Sequence, residues 1–189
     1  MNIFNTFAPF YDKFMVAFGF YRYRLIIDKL NLNETDKVLD VGGGTGYIAK
    51  KISEIANDIT VVDISSQMLK QAQNRGLTTI CASALDLPFP ENSIDVITCI
   101  DALHHIKNHQ KTISEFQRVL KPNGKILIFD FHQKTLFGKL VKHFELLLID
   151  KSEFISPENL ENLMAEHRFE GKSQVYSRFE YYYLGKNIR

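Results

Sequence analysis

His104 and His105 stand side by side just past the apolar run "IDVITCI", with Asp101 between that run and the pair. A histidine titrates near neutral pH, so one beside a pocket can take a proton from an incoming nucleophile. Asp101 is a second, lesser candidate for the same work. The plainer alternative is that one imidazole caps or packs beside the helix that follows. A different constellation lies earlier in the chain. "VLDVGGGTGYIAKKI", residues 38–52, sets Gly42, Gly43, Gly44 and Gly46 between a strand pattern and a helix pattern. A side chain at Gly42 or Gly44 would obstruct a ligand lying against that bare backbone. About twenty residues on, Asp63 ends the next strand pattern, where a carboxylate can accept both hydroxyls of a ribose. It can also cap the helix that starts near Ser65.

The glycine spacing narrows the ligand. A dinucleotide turn places glycines at relative positions zero, two and five. Counted from Gly42 they fall at zero, two and four, and Tyr47 takes the fifth place. The turn therefore offers a ribose hook without a pyrophosphate cradle, which argues against a nicotinamide-dependent oxidoreductase.

These groups need a scaffold, and hydrophobic periodicity supplies one. An aromatic helical region runs from Phe4 to Leu30. Then come "KVLDV" as a strand, "YIAKKISEI" as a helix, "DITVVDI" as a strand and "SQMLKQAQNR" as a helix stopped by Gly76. "LTTICA" reads as the third strand and "LDLPFPENS" as a loop. "IDVITCI" is the fourth strand, "HQKTISEFQRVL" a helix ended by "KPNG", and "KILIFDF" the fifth strand. An amphipathic stretch, "KTLFGKLVKHFELLLI", precedes a helix opened by Ser156 and Pro157. The tail, residues 169–188, reads as two strands. Alternation of this kind implies right-handed crossovers and a mostly parallel sheet covered on both faces. The last two strands break the rhythm and add an antiparallel edge.

The 189 residues suit one domain, and 45% hydrophobic content suffices for a single core. A formal net charge of +1 gives no overall basic field, so no nucleic-acid partner is expected. Cys81 and Cys99 form no metal-binding spacing and read as small core residues of a reduced, cytoplasmic protein. No metal site is expected. "MNIFNTFAPF" lacks a basic leader, and no uncharged run reaches the roughly 18 residues of a membrane span. Transient contact with a membrane surface stays open.

Taken in order, "VLDVGGGTG", "VVDISSQML", "ALDLPFPENSIDVI", "ALHHI" and "RVLKPNGKILIFD" resemble the motifs of class I S-adenosylmethionine-dependent methyltransferases. The resemblance covers residues 38–131 and is nearest the group of ubiquinone/menaquinone-biosynthesis methyltransferases and their small-molecule relatives. It implies a Rossmann-like α/β fold, a seven-stranded and mostly parallel sheet with an antiparallel C-terminal edge. It further implies a helical lid segment over residues 1–30, a cofactor core over 38–131, cap helices over 132–168 and terminal strands over 169–189.

Roles follow residue by residue from the same resemblance. Asp40, Gly42, Gly44 and Gly46, with Gly43 among them, surround the methionine part of S-adenosylmethionine. Asp63 holds the ribose, and Ile64 and Met68 pack on the adenine. Ser83, Ala84 and Leu85 match the next adenine-contacting segment, although many relatives carry Asp where this chain has Ser83. A hydroxyl still accepts from the adenine amino group, without charge assistance. Ile100 to Ala102 line the sulfonium pocket, and Tyr11 closes over the cofactor. Because "CIDALHH" follows the fourth strand instead of an Asn/Asp-Pro-Pro-aromatic motif, a DNA adenine acceptor is disfavoured.

The expected reaction is methyl transfer to a small acceptor, yielding S-adenosylhomocysteine, with His104 or His105 as base where the nucleophile arrives protonated. The aromatic N-terminal segment and the apolar face of Leu136, Leu140, Phe144 and Leu147 have two uses. They pack on the sheet, or they roof a pocket for a quinone- or lipid-like acceptor. A non-catalytic cofactor-binding module is the competing class, and a monomer and a homodimer are both compatible with the sequence.

Overall fold

We describe a computed structural model of the chain, covering Asp12 and residues 22–131 and 152–189. Tyr11, most of the aromatic N-terminal segment and the amphipathic stretch 134–149 lie outside the described residues. The elements are α1 (Tyr23–Leu30), β1 (Lys37–Val41), α2 (Tyr47–Ile52), β2 (Asp58–Asp63), α3 (Ser66–Asn74), β3 (Thr78–Cys81) and β4 (Ile94–Ile100). After a 3-10 turn at Leu103–His105 come α4 (His109–Val119), β5 (Leu120–Phe131), α5 (Pro157–Glu166), β6 (Phe169–Val175) and β7 (Glu180–Asn187).

The seven strands form one sheet in the order β3-β2-β1-β4-β5-β7-β6. β1 pairs in parallel with β2 and β4, β2 with β3, and β4 with β5. β7 lies antiparallel to both β5 and β6. This is the Rossmann-like arrangement that the alternating pattern implied, antiparallel edge included. β1, β2 and β4 are buried nearly throughout, as strands covered by helices on both faces must be. On one face Leu39, Ile97 and Ile128 meet Ile113 and Phe116 of α4 and Leu160 and Met164 of α5. On the other, Val38, Val61 and Leu127 meet Ile26 and Leu30 of α1, Ile48 and Ile52 of α2, and Leu69 and Ala72 of α3.

Local chemistry sets the element ends. Ser65 caps α3 by accepting the Met68 N–H, and Ser156 caps α5 by accepting that of Asn159, with Pro157 in the first turn. α2 stops at Ile52 and β3 spans only Thr78–Cys81, both shorter than their apolar patterns suggest. "KPNG" was expected to separate α4 from β5. Instead β5 starts at Leu120 and runs through it, with the register against β4 slipping between Ile94 and Val96. Asn123 takes a left-handed conformation there (φ 63°), which an Asn tolerates.

Cys99 is a core residue as expected, but Cys81 is exposed. β3 is an edge strand, and the Cys81 thiol there lies 3.7 Å from the Ile64 carbonyl. Among the described residues, no helix is long and apolar enough to cross a membrane, and no cluster of His, Cys, Asp or Glu is arranged to hold a metal ion.

Candidate functional site

β1 ends in the glycine turn, at the carboxyl edge of the sheet between β2 and β4. Packing, more than ligand clearance, explains most of its glycines. A Cβ on Gly42 would stand 2.5 Å from the Cβ of Ala102, so that glycine lets β1 and the tip of β4 approach. Gly43 abuts the Asp40 carboxylate, and Gly46 abuts Leu77 and Ala72. Gly44 is different. It has a left-handed backbone (φ 53°), and a Cβ there would meet nothing closer than 4.0 Å. Of the two glycines expected to clear a ligand, Gly44 borders open space and Gly42 borders protein.

The Asp63 carboxylate organises this turn. Its Oδ2 accepts the Gly44 N–H at 3.0 Å, and its Oδ1 accepts the Ser65 N–H at 2.8 Å. The helix cap itself is Ser65, with Asp63 supporting it from two residues outside. Burial raises the Asp63 carboxyl above its ordinary range, against the pull of the Ser65 and Gly44 N–H groups. The Ile64 N–H also bonds this carboxylate, which leaves part of its accepting capacity for a ligand hydroxyl. Asp40 lies deeper, 1% exposed, with one oxygen accepting from the Thr98 hydroxyl at 2.7 Å. Burial pushes its carboxyl from 3.8 up to about 6, and the negative charge of Asp63 adds to the rise.

The adenine candidates divide. Ile64 is 68% exposed, an apolar side chain held in solvent next to Asp63, while Met68 and Ala84 are buried. Ser83 is exposed, and its hydroxyl accepts the Leu85 N–H at 3.1 Å. Ile100 is half-buried at the end of β4. Behind the turn, the Thr45 hydroxyl donates to Asp12 at 2.6 Å, and Arg75 pairs with Asp12 while donating to the Thr45 carbonyl. The residue next to Tyr11 is thus tied to the glycine turn. Sequence reasoning missed Asp12 and Arg75, because no short spacing connects them.

The second cluster sits at the tips of β4, β5 and β7. His104 is 2% exposed, and its Nδ1 lies 2.5 Å from Oδ1 of Asp130. The other Asp130 oxygen accepts the His104 N–H at 3.0 Å, and the Phe131 N–H adds a third bond at 2.7 Å. Burial alone would raise the Asp130 carboxyl, but His104 and these donors outweigh it and hold it below the ordinary range. The imidazole stacks on Phe154, with ring centroids 4.9 Å apart, and neighbours His105 at 3.9 Å. Asp101 follows β4 with a left-handed backbone (φ 50°) and donates its N–H to the Phe129 carbonyl. Burial and the nearby Asp130 push its carboxyl well above the ordinary range. Arg22, preceding α1, pairs with Glu180 at 3.1 Å. Sequence reasoning missed Asp130 and Glu180, although a lone carboxylate stands inside "KILIFDF" and at the head of "EYYYLG". A charge at such a position needs a partner, which was the available clue.

Comparison with known proteins agrees with this fold. Residues 39–128 match the family described as a methyltransferase domain. The chain is 33% identical over 167 residues to the ubiquinone/menaquinone biosynthesis C-methyltransferase UbiE of Shewanella pealeana, covering 79% of this chain and 66% of that one. It is 30% identical over 149 residues to the protein of the same name from Hahella chejuensis, covering 71% of this chain and 60% of the relative. The chain thus spans less than two thirds of the length of these relatives. An S-adenosylmethionine-dependent methyltransferase structure from Thermotoga maritima superposes with a TM-score of 0.81 at 18% identity, covering 99% of this chain and 98% of that one, a likeness of fold.

Proposed function

Because this chain belongs to the class I S-adenosylmethionine-dependent methyltransferases, we propose that it transfers a methyl group to a small acceptor with a quinone- or lipid-like body, in the cytoplasm. The observation that carries the reading is the open position at Gly44 facing the Asp63 carboxylate, with the exposed Ile64 beside it. A bare backbone, a carboxylate with accepting capacity left and an apolar shelf fit a nucleoside without phosphates.

S-adenosylmethionine brings a methyl group made electrophilic by its sulfonium and leaves as S-adenosylhomocysteine. Asp63 holds the ribose hydroxyls, and Asp40 with the turn borders the methionine part. The fold lowers the barrier by alignment, an effect of up to roughly 7–11 kcal/mol where two reactants are well held. At the acceptor end, Asp130 fixes the His104 ring through Nδ1, which makes Nε2 the basic nitrogen when the imidazole is neutral. His104, or the half-buried His105 beside it, removes the acceptor's proton. The apolar body of the acceptor is supported by the names of the relatives and by the aromatic side chains at this edge.

The test is methyl transfer from isotopically labelled S-adenosylmethionine to a panel of short-chain demethylated quinols, lipids and polar metabolites. Labelled quinol or lipid product is the expected result. Methylation of polar metabolites alone would sink the apolar acceptor, and no turnover despite tight cofactor binding would favour a non-catalytic module.

A further inference from the structure

The glycine turn is held at two consecutive residues. Asp63 accepts the Gly44 N–H, and Thr45, 2% exposed, is held separately. Thr45 stands between Gly44 and Gly46, both in left-handed conformations (φ 53° and 72°). Its hydroxyl donates to one Asp12 oxygen at 2.6 Å, and the other Asp12 oxygen pairs with the Arg75 guanidinium. That guanidinium donates in turn to the Thr45 carbonyl at 2.6 Å. Asp12 and Arg75, 33 positions before Thr45 and 30 after it, thus close one ring of hydrogen bonds on a single residue. The guanidinium also lies 5.9 Å over the ring of Tyr47, where α2 starts. Arg75 closes α3, whose Ala72 abuts Gly46, while Asp63 bonds Ser65 at the other end of that helix. α3 is therefore joined to the cofactor edge at both ends.

We propose that Asp12 and Arg75 are positioning residues for the cofactor: by holding the hydroxyl and the carbonyl of Thr45, they set the glycine turn in the shape that receives the methionine part of S-adenosylmethionine. The proposal rests on the methyltransferase reading, in which that part borders the turn. Neither residue touches the cofactor in this role, and each acts through Thr45. The need for them comes from the glycines. A residue between two glycines has neighbours of wide backbone freedom. A ligand that meets a loose turn must order it on binding and loses affinity by that cost. Asp63 alone fixes the turn at Gly44 only, and the ring fixes the residue after it. An exposed ion pair by itself contributes little. Here the pair is tied to two groups of one buried residue, and the planar guanidinium serves a carbonyl and a carboxylate at once. By linkage, the cofactor tightens the ring as much as the ring tightens the cofactor.

Calorimetric titration of the full chain with S-adenosylhomocysteine tests this without turnover. Asp12→Ala, Arg75→Ala and Thr45→Val, which keeps the shape but not the hydroxyl, each open the ring. Each should weaken binding about tenfold. Asp12→Ala combined with Thr45→Val should bind no more weakly than either alone, because a ring opened once is open. Asp12→Asn should stay within about threefold of the parent, since its oxygen accepts from Arg75 while its amide donates to the Thr45 hydroxyl. Thermal melts without ligand check that each variant is folded. Asp12 is half-buried and precedes every described strand, so Asp12→Ala and Asp12→Asn decide if either of the other variants does not fold. A ring with a merely structural role would lower the melting temperature and leave the affinity of the folded chain unchanged. A loss under about twofold in Asp12→Ala overturns the proposal, as do losses that multiply to about a hundredfold in the double variant, or an Asn variant as weak as the Ala one. Failure of the parent chain to bind S-adenosylhomocysteine at all instead removes the methyltransferase reading on which the proposal depends.

Discussion

Asp40→Asn should make the ligand-free protein more stable at neutral pH while weakening its grip on the cofactor. Asp40 is 1% exposed, and burial pushes its carboxyl from 3.8 to about 6. The folded chain therefore holds this proton more tightly than the unfolded chain does. The resulting stability is fully present below pH 3.8 and is lost as the pH rises through about 6. That shift corresponds to about 3 kcal/mol, at about 1.4 kcal/mol per pH unit. Asn keeps an oxygen for the Thr98 hydroxyl and carries no charge, so it escapes the loss. In a chain of this size about 3 kcal/mol moves the melting temperature by about 6–12 °C. The assay is urea or thermal denaturation of both proteins from pH 3.5 to 8 without cofactor. The stability difference, Asn variant minus parent, should grow between pH 4 and 6 and stay constant above. Parallel curves across that range would refute the reasoning, because they would mean that the buried carboxyl costs the fold nothing when ionised. In the same buffers at pH 7.5, the variant should bind S-adenosylmethionine about tenfold more weakly.

Three further outcomes are expected. Asp63→Ala removes the acceptor of the Gly44 and Ser65 N–H groups along with the proposed ribose hook, so calorimetry should show S-adenosylmethionine affinity falling about 10–100-fold; a change under about twofold would exclude Asp63 from the site. Gly42→Ala drives a methyl into Ala102 at a left-handed position and should cost about 1–3 kcal/mol in urea denaturation. Ala102→Gly in the same chain should restore part of that, and an unchanged double variant would mean that backbone strain alone is responsible. Asp130→Ala leaves the buried His104 without its carboxylate and should cost about 3–5 kcal/mol in the same assay; a loss below about 1 kcal/mol would show that the pair is not charged in the folded state.

The glycine turn and its tie to Asp63 were legible because their determinants are local. Gly42 to Gly46 and Asp63 lie at the ends of adjacent strands, and a fixed spacing between parallel strands carries their relation. The order of strands and helices was legible for the same reason, since Val- and Ile-rich runs alternate with amphipathic ones. The acceptor half was not. His104 meets Asp130 across 26 positions, and Arg22 meets Glu180 across 158, and no short motif spans such distances. The reason for each glycine was equally hidden. Only the folded chain shows that Gly42 yields to Ala102 while Gly44 borders open space. Cys81 misled because a four-residue apolar strand reads the same at an edge as in the interior.

The reversed direction of β7 has a consequence for how such a chain diversifies. β1 and β2 deliver their last residues, Val41 and Asp63, to the edge that carries the glycine turn. β7 runs the other way, so it delivers its first residues there, Glu180 leading, from a loop that holds none of the proposed cofactor residues. Under the proposed function, changes in that short hairpin loop alter what the acceptor end recognises without disturbing the glycine turn or Asp63. Selection for a new acceptor has a place to act that is separate in the chain, though adjacent in space, from the part that must stay the same.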